Sequence, residues 1–170
     1  MNLDFCKALP SDLDEIMNIV ADAQQSLKNR SIDQWQNGYP EREVVMEDIR
    51  QQVGVVARVE GMMAAYVSIV FTGEPAYDAL DGKWNDDSAY VVVHRLCVRK
   101  GFERQGIATA LMRLSEECSR QRGVLYARID THPDNSYMCD MLKKFGYRYC
   151  GVVHYDHGDR IAFDKRIKTE

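Results

Sequence analysis

Residues 89–112, AYVVVHRLCVRKGFERQGIATALM, limit most tightly what this chain can fold into. The stretch opens with a mostly apolar run that ends at Val98 and contains three consecutive valines, Val91 to Val93. A strand that reads apolar on both faces predicts a central position in a sheet. A short polar loop follows. From Gly106 onward Ile107, Leu111, Leu114 and Cys118 fall at roughly helical spacing, and the pattern ends before Gly123. The next segment, VLYARIDT (124–131), reads as another strand. A strand–helix–strand unit crosses over right-handed and pairs its strands in parallel. Tyr90–Thr131 therefore predicts one parallel pair inside the sheet.

The flanks predict hairpins and helices. LDFCKAL (3–9) reads as a first strand. Ser11 suits the N-cap of a helix with Asp12, Asp14 and Glu15 in its first turn and an apolar stripe from Leu13 to Leu27. A loop, SIDQWQNGYPE (31–41), leads to a second helix near Arg42–Gln52. GVVARVE and MMAAYVSIVF form a hairpin closed near Glu60-Gly61, and Thr72–Ser88 is a long connection. Ser136–Phe145 reads as a helix with Met138, Met141, Leu142 and Phe145 on one face and Gly146 at its stop. YRYCGVVHY and RIAFDKRI turn around His157-Gly158. The expected order is β-α-α-β-β-β-α-β-α-β-β, a single α/β (α+β) domain.

Composition excludes several functions. A net charge of −4 over 170 residues argues against sequence-independent nucleic-acid binding, which needs Lys and Arg to neutralise phosphates. The start, MNLDFCKALPSD, lacks the basic and apolar run of a signal peptide, and Met62–Gly73 is too short to span a bilayer as a helix. A cytoplasmic protein with no membrane partner is expected. Five cysteines without a CxxC pair read as reduced core residues. Asp130, His132, Asp134 and His157 can bind metals by type but lack metal-site spacing, so no metal is expected.

Gly106 raises the question of a ligand. Backbone N–H groups at a helix start lack intrahelical partners, and a glycine lets an anion approach them closely. Arg99, Lys100 and Arg104 add local positive charge, and Thr109 adds a hydroxyl. Gly106 is read either as part of a phosphate site or as a glycine that permits tight helix–strand packing. There is no GxxxxGK[ST] and no GxGxxG after the first strand, which excludes a P-loop hydrolase and a dinucleotide fold.

At this point the sequence resembles the GNAT superfamily of acyl-CoA N-acyltransferases. LCVRKGFERQGIATALM is similar to that family's acyl-CoA motif, [QR]-x-x-G-x-[GA], with Gly106 and Ala108 at the last two fixed positions and Glu103 departing at the first. DNSYMCDMLKKFGYRYCG resembles its later motif, an Asn, an amphipathic helix, then Gly and an aromatic. The resemblance implies a GNAT fold, with a central, mixed, mostly antiparallel sheet of about seven strands, a splayed parallel pair and helices on both faces. It also implies that the backbone of Cys97 and Val98 holds the pantetheine arm of acetyl-CoA. The N–H groups of Arg104, Gln105, Gly106, Ile107, Ala108 and Thr109 would cradle its pyrophosphate. Asn135 matches the family's pantetheine-contacting Asn, and it also suits a helix N-cap.

The reaction expected is acetyl transfer to an amine, whose ammonium must lose a proton. His94 is the candidate base. It lies four residues before Val98, where many family members carry a catalytic Glu, and its alternate neighbours Val92 and Leu96 are apolar. Glu74 is the alternative. Leu142 stands where the family often has an acidic Tyr, which leaves the general acid unassigned. Cys97 lies close enough to the expected thioester to keep an acyl-enzyme open. Trp35, Tyr39, Glu74 and Tyr77, with Trp84, are expected near a substrate, a small-molecule or peptide amine; each aromatic also suits ordinary loop anchoring. The rival reading is a non-catalytic acyl-CoA-binding regulatory module. A homodimer pairing through the last strands is compatible with either.

Overall fold

A computed structural model describes residues 2–169. They divide into two units, residues 2–69 with 93–113 and residues 70–92 with 114–169. In the first, β1 (Leu3–Lys7) runs into a 3-10 turn at Pro10–Asp12 and then α1 (Leu13–Asn29). The expected cap at Ser11 gives way to Asp12, whose carboxylate accepts the Leu9 N–H at 2.8 Å. That bond closes the 3-10 turn first, so the α-helix begins one residue later. Ile16, Ile19 and Val20 on α1 are buried together with Val45 and Ile49 of α2 (Arg42–Arg50).

β2 (Gly54–Val59) and β3 (Met62–Val70) form the expected hairpin, with Glu60 and Gly61 both in the left-handed region. β1 pairs antiparallel with β2, Leu3 opposite Val59 and Lys7 opposite Val55. β5 (Val91–Val98) passes from the second unit into the first. Val91, Val92 and Val93 are buried at 1%, 0% and 6% exposure, as the valine run predicts for a central strand.

In the second unit the start of β5 lies parallel to β6 (Tyr126–Thr131). Their register holds just two residue pairs, Val91 with Ala127 and Val92 with Arg128. β6 pairs antiparallel with β8 (Gly158–Arg166), which pairs with β7 (Arg148–Tyr155). A two-residue strand, β4 (Asp81–Gly82), completes the order β1-β2-β3-β5-β6-β8-β7-β4. This mixed, mostly antiparallel sheet has one more strand than expected. The extra one exists because Gly82 and Gly151 face each other so closely that a Cβ on either would strike the opposing backbone.

Two helices complete the elements, α3 (Ile107–Gln121) and α4 (Ser136–Lys144). On α3, Ile107 and Leu111 are buried as expected, but the line continues through Ser115 and Ser119, while Leu114 and Cys118 are half-buried. Small hydroxyl residues allow close approach there, and Ser119 Oγ donates to Val124 O at 2.5 Å. All five cysteines are free thiols, as expected, but they are not all core residues: Cys97 and Cys150 are buried, Cys118 and Cys139 half-buried and Cys6 exposed.

Candidate active site

The loop between β5 and α3 is built by its own backbone. Phe102 N–H bonds Arg99 O at 3.0 Å, Gln105 Nε2 donates to Gly101 O at 3.1 Å, and Glu103 accepts the Gly101 N–H at 2.5 Å. The acid that departs from the family pattern is thus engaged inside the loop. Arg104 (φ 60°) and Gly106 (φ 80°) both take the left-handed conformation just before the helix. The first intrahelical bond is Ala110 N–H to Gly106 O at 2.9 Å; among the described residues the N–H groups of Gly106, Ile107, Ala108 and Thr109 have no protein acceptor. Turns of this kind point successive N–H groups into one concavity that suits an anion.

A Cβ placed on Gly106 would meet nothing within 4 Å. The packing reading of this glycine therefore fails, since no neighbouring strand or side chain needs the space. Of the nearby cations, Arg99 is occupied by Glu15 at 2.8 Å and Met63 O at 2.9 Å. The backbone N–H of Lys100, not its ammonium, donates to Asp22 Oδ2 at 3.2 Å. Arg104 is exposed beside the loop.

His94 is half-buried on β5, two residues after the last parallel pair at Val92. The strict alternation that made Val92 and Leu96 its neighbours does not hold. Arg95 has φ 56°, a left-handed residue inside a strand, which bends the strand and breaks the alternation of faces. Leu96 is accordingly half-exposed. Cys97 is buried, and desolvation pushes its thiol up to about 12, so it is a poor nucleophile.

Arg95 was not singled out by the sequence, yet it anchors a polar network. Its Nε and Nη2 bond the Asp48 carboxylate at 2.8 and 2.6 Å, and Nη1 donates to Tyr39 Oη at 2.8 Å. Tyr66 Oη donates to the same carboxylate at 2.7 Å. Burial disfavours the arginine charge, but the Asp48 hydrogen bonds outweigh it and raise its pKa. Burial and then the Asp48 charge push the Tyr66 phenol far up, so it stays a donor. Tyr39 packs edge-on to Trp35 with ring centroids 6.5 Å apart, and both are half-buried.

In the second unit Tyr77 is 1% exposed and its hydroxyl donates to Asp130 at 2.7 Å. It anchors the 72–88 segment from inside, in place of the expected substrate contact, because its hydroxyl and ring are already engaged. Trp84 donates to Tyr77 O at 2.9 Å and packs against its ring. Glu74 caps the short turn that follows by accepting the Ala76 N–H at 3.2 Å. Asn135 Oδ1 accepts the Met138 N–H at 3.4 Å and occupies the N-cap of α4. Leu142, at the position where an acid was sought, is 0% exposed. Among the described residues no group of three or more metal-capable side chains comes together, and no helix is long and apolar enough to cross a membrane.

The arrangement is shared with known proteins. A GNAT-family acetyltransferase from Streptococcus agalactiae 2603 superposes with a TM-score of 0.88 at 32% identity, covering 99% of this chain and 96% of that one. The fold also matches the PaiA N-acetyltransferase of Thermoplasma acidophilum, solved in complex with coenzyme A. There the TM-score is 0.71 at 15% identity, over 98% and 99% of the two chains. An 80-residue stretch is 31% identical to the chloroplastic GCN5-related N-acetyltransferase 6 of Arabidopsis thaliana; it covers 46% of this chain and 28% of that relative. Residues 14–147 match the Acetyltransferase (GNAT) family, which is most of the chain, and the protein belongs to that family.

Proposed function

We propose that this protein moves an acetyl group from acetyl-CoA to a primary amine of a small molecule or peptide, by direct attack in a ternary complex. The observation that carries the reading is the loop before α3. It presents unpaired N–H groups from Gly106 to Thr109 beside open space where a Cβ would otherwise stand. That is the environment a pyrophosphate requires. Family membership supports the same use of the loop.

Acetyl-CoA supplies an activated acyl thioester; the amine nitrogen gains the acyl carbon and CoA leaves as the thiol. The Cys97–Val98 backbone is the proposed rest for the pantetheine arm, and the Val98 N–H the donor to the thioester oxygen as charge develops on it. His94 takes a proton from the substrate ammonium, directly or through water, which frees the nitrogen lone pair to attack. The second amine proton is lost to solvent as the tetrahedral adduct collapses, and the leaving thiolate is protonated by water. The buried, high-pKa Cys97 thiol favours direct attack over an acyl-enzyme. Tyr39 and Trp35 are the proposed contacts for the amine. Asn135 is proposed both to cap α4 and to contact the pantetheine.

Titration calorimetry with acetyl-CoA, CoA and ATP tests the foundation. Micromolar acetyl-CoA binding that disappears in Gly106→Glu is expected; no binding by the wild type would remove the acyl-CoA reading. His94→Ala should keep that binding and lose roughly 10²–10⁴-fold in turnover.

One observation favours the rival, a non-catalytic acyl-CoA module. Leu142 is fully buried where the family often places a tyrosine acid, so no donor comes from that position. A module of that kind would bind acetyl-CoA yet release no CoA with any amine.

A further inference from the structure

We propose that Arg95 is a positioning residue, whose fork on Asp48 and Tyr39 sets the backbone on which the reaction depends; the inference rests on the transferase reading above. Arg95 is the residue between the candidate base His94 and the Leu96–Val98 segment, and it adopts φ 56° within β5. L-residues other than glycine, asparagine and aspartate rarely adopt that region, and they persist there only where surrounding contacts over-determine it.

The contacts that do so come from three places in the first unit. Asp48 on α2 takes two bonds in bidentate form, Tyr39 in the preceding loop accepts a third, and Ser68 on β3 accepts from Nη2 at 3.3 Å. Tyr66, also on β3, donates to Asp48 Oδ2, the oxygen that also accepts from Arg95 Nε. The Arg95 and Asp48 side chains keep only 11% and 7% of their exposure, so the pair is shielded from solvent screening.

A planar guanidinium held at three nitrogens leaves its own Cα little freedom. Because side chains alternate along a strand, losing the left-handed conformation at Arg95 would turn His94 and the Val98 N–H to other directions. The same fork seats the Tyr39 hydroxyl, which ties the loop carrying Trp35 to the strand carrying His94. Lysine cannot reproduce this geometry, since it offers a single ammonium and no fork. It does keep a charge opposite Asp48.

Arg95→Lys is the first test. Turnover should fall about tenfold to a hundredfold, the scale expected of slight misplacement of reacting groups. Acetyl-CoA affinity by calorimetry should fall by much less than turnover, because the α3 start proposed for the pyrophosphate is built by its own loop and only the Cys97–Val98 rest is disturbed. Backbone amide resonances of His94, Cys97 and Val98 should move while those of Ile107–Ala110 hold. Wild-type turnover, or unmoved amides at 94–98, overturns the proposal.

If the wild type binds acetyl-CoA but acetylates no amine, the transferase reading fails. The amide comparison then decides the role of Arg95 by itself. Should Arg95→Lys not fold, Tyr39→Phe removes one hydroxyl from a half-buried loop residue. It should shift the same amides by less and raise the amine KM with the acetyl-CoA KM unchanged; no change in either overturns the proposal.

Discussion

Gly106 and Arg95 share a left-handed backbone for opposite reasons. At Gly106 the conformation is easy because the residue has no Cβ, and the space beside it is open. At Arg95 it is unfavourable by itself and is held by the side chain's partners. Gly106→Ala should therefore lower the stability of the free protein by about 1 kcal/mol through φ alone, measured by urea unfolding. Its acetyl-CoA affinity should fall by far more, because the new methyl enters the proposed phosphate space. Equal losses in both would mean that the space is not used. Gly106 was legible in the sequence because its signal is local, a glycine between a strand and a helix. Arg95 was not, because Asp48 and Tyr39 lie 47 and 56 positions away and nothing near His94 announces a left-handed residue.

Elements obeyed their periodicity where burial is generic and departed from it where polar groups close a turn. The hairpin at Glu60-Gly61 and the valine-rich β5 followed directly from turn chemistry and apolar runs. α1 began later than expected because the Asp12 carboxylate captures Leu9. α3 buries Ser115 and Ser119, which hydropathy marks as exposed, and Ser119 satisfies its hydroxyl locally on Val124 O. α4 keeps the expected signals at both ends. Asn135 caps its start, and Gly146 N–H bonds Lys143 O at 3.0 Å in a left-handed stop. Asn135→Ala should destabilise the protein by about 1 kcal/mol in chemical unfolding. A simultaneous rise in the acetyl-CoA KM that persists in Asn135→Asp, which retains a capping oxygen but not the amide nitrogen, would show the second role. The 72–88 segment shows the limit of reading loops from composition. Its aromatics suggested a ligand surface, but Tyr77 and Trp84 pack and bond to each other.

Across the molecule, Asp164 and His154 move stability with pH in opposite directions. Asp164 is buried, which alone would raise its pKa, but hydrogen bonds from Tyr126 and Asn85 hold it below the usual carboxylate value. Its contribution is present above about pH 4 and is lost as acid titrates it through the lowered folded value. His154 moves the opposite way, raised first by Asp159 at 2.6 Å and then by Asp81 at 3.4 Å. That contribution is complete below about pH 6.5 and disappears as pH rises through the raised value. Melting temperatures from pH 3 to 9 should fall on both sides of an acidic-to-neutral plateau. His154→Gln should flatten the alkaline step, which is small because the ring is exposed. An unchanged alkaline slope would show that His154 does not set it. The sequence by itself determined the element order, the parallel pair and the glycine at the start of α3, because these rest on periodicity, turn residues and local glycine chemistry. Only the tertiary structure decided that Gly106 borders open space, that Arg95 is locked to Asp48 and that Tyr77 is spent on Asp130. Each of those depends on which distant residues the sheet and helices bring within hydrogen-bond reach, and local pattern carries no record of that.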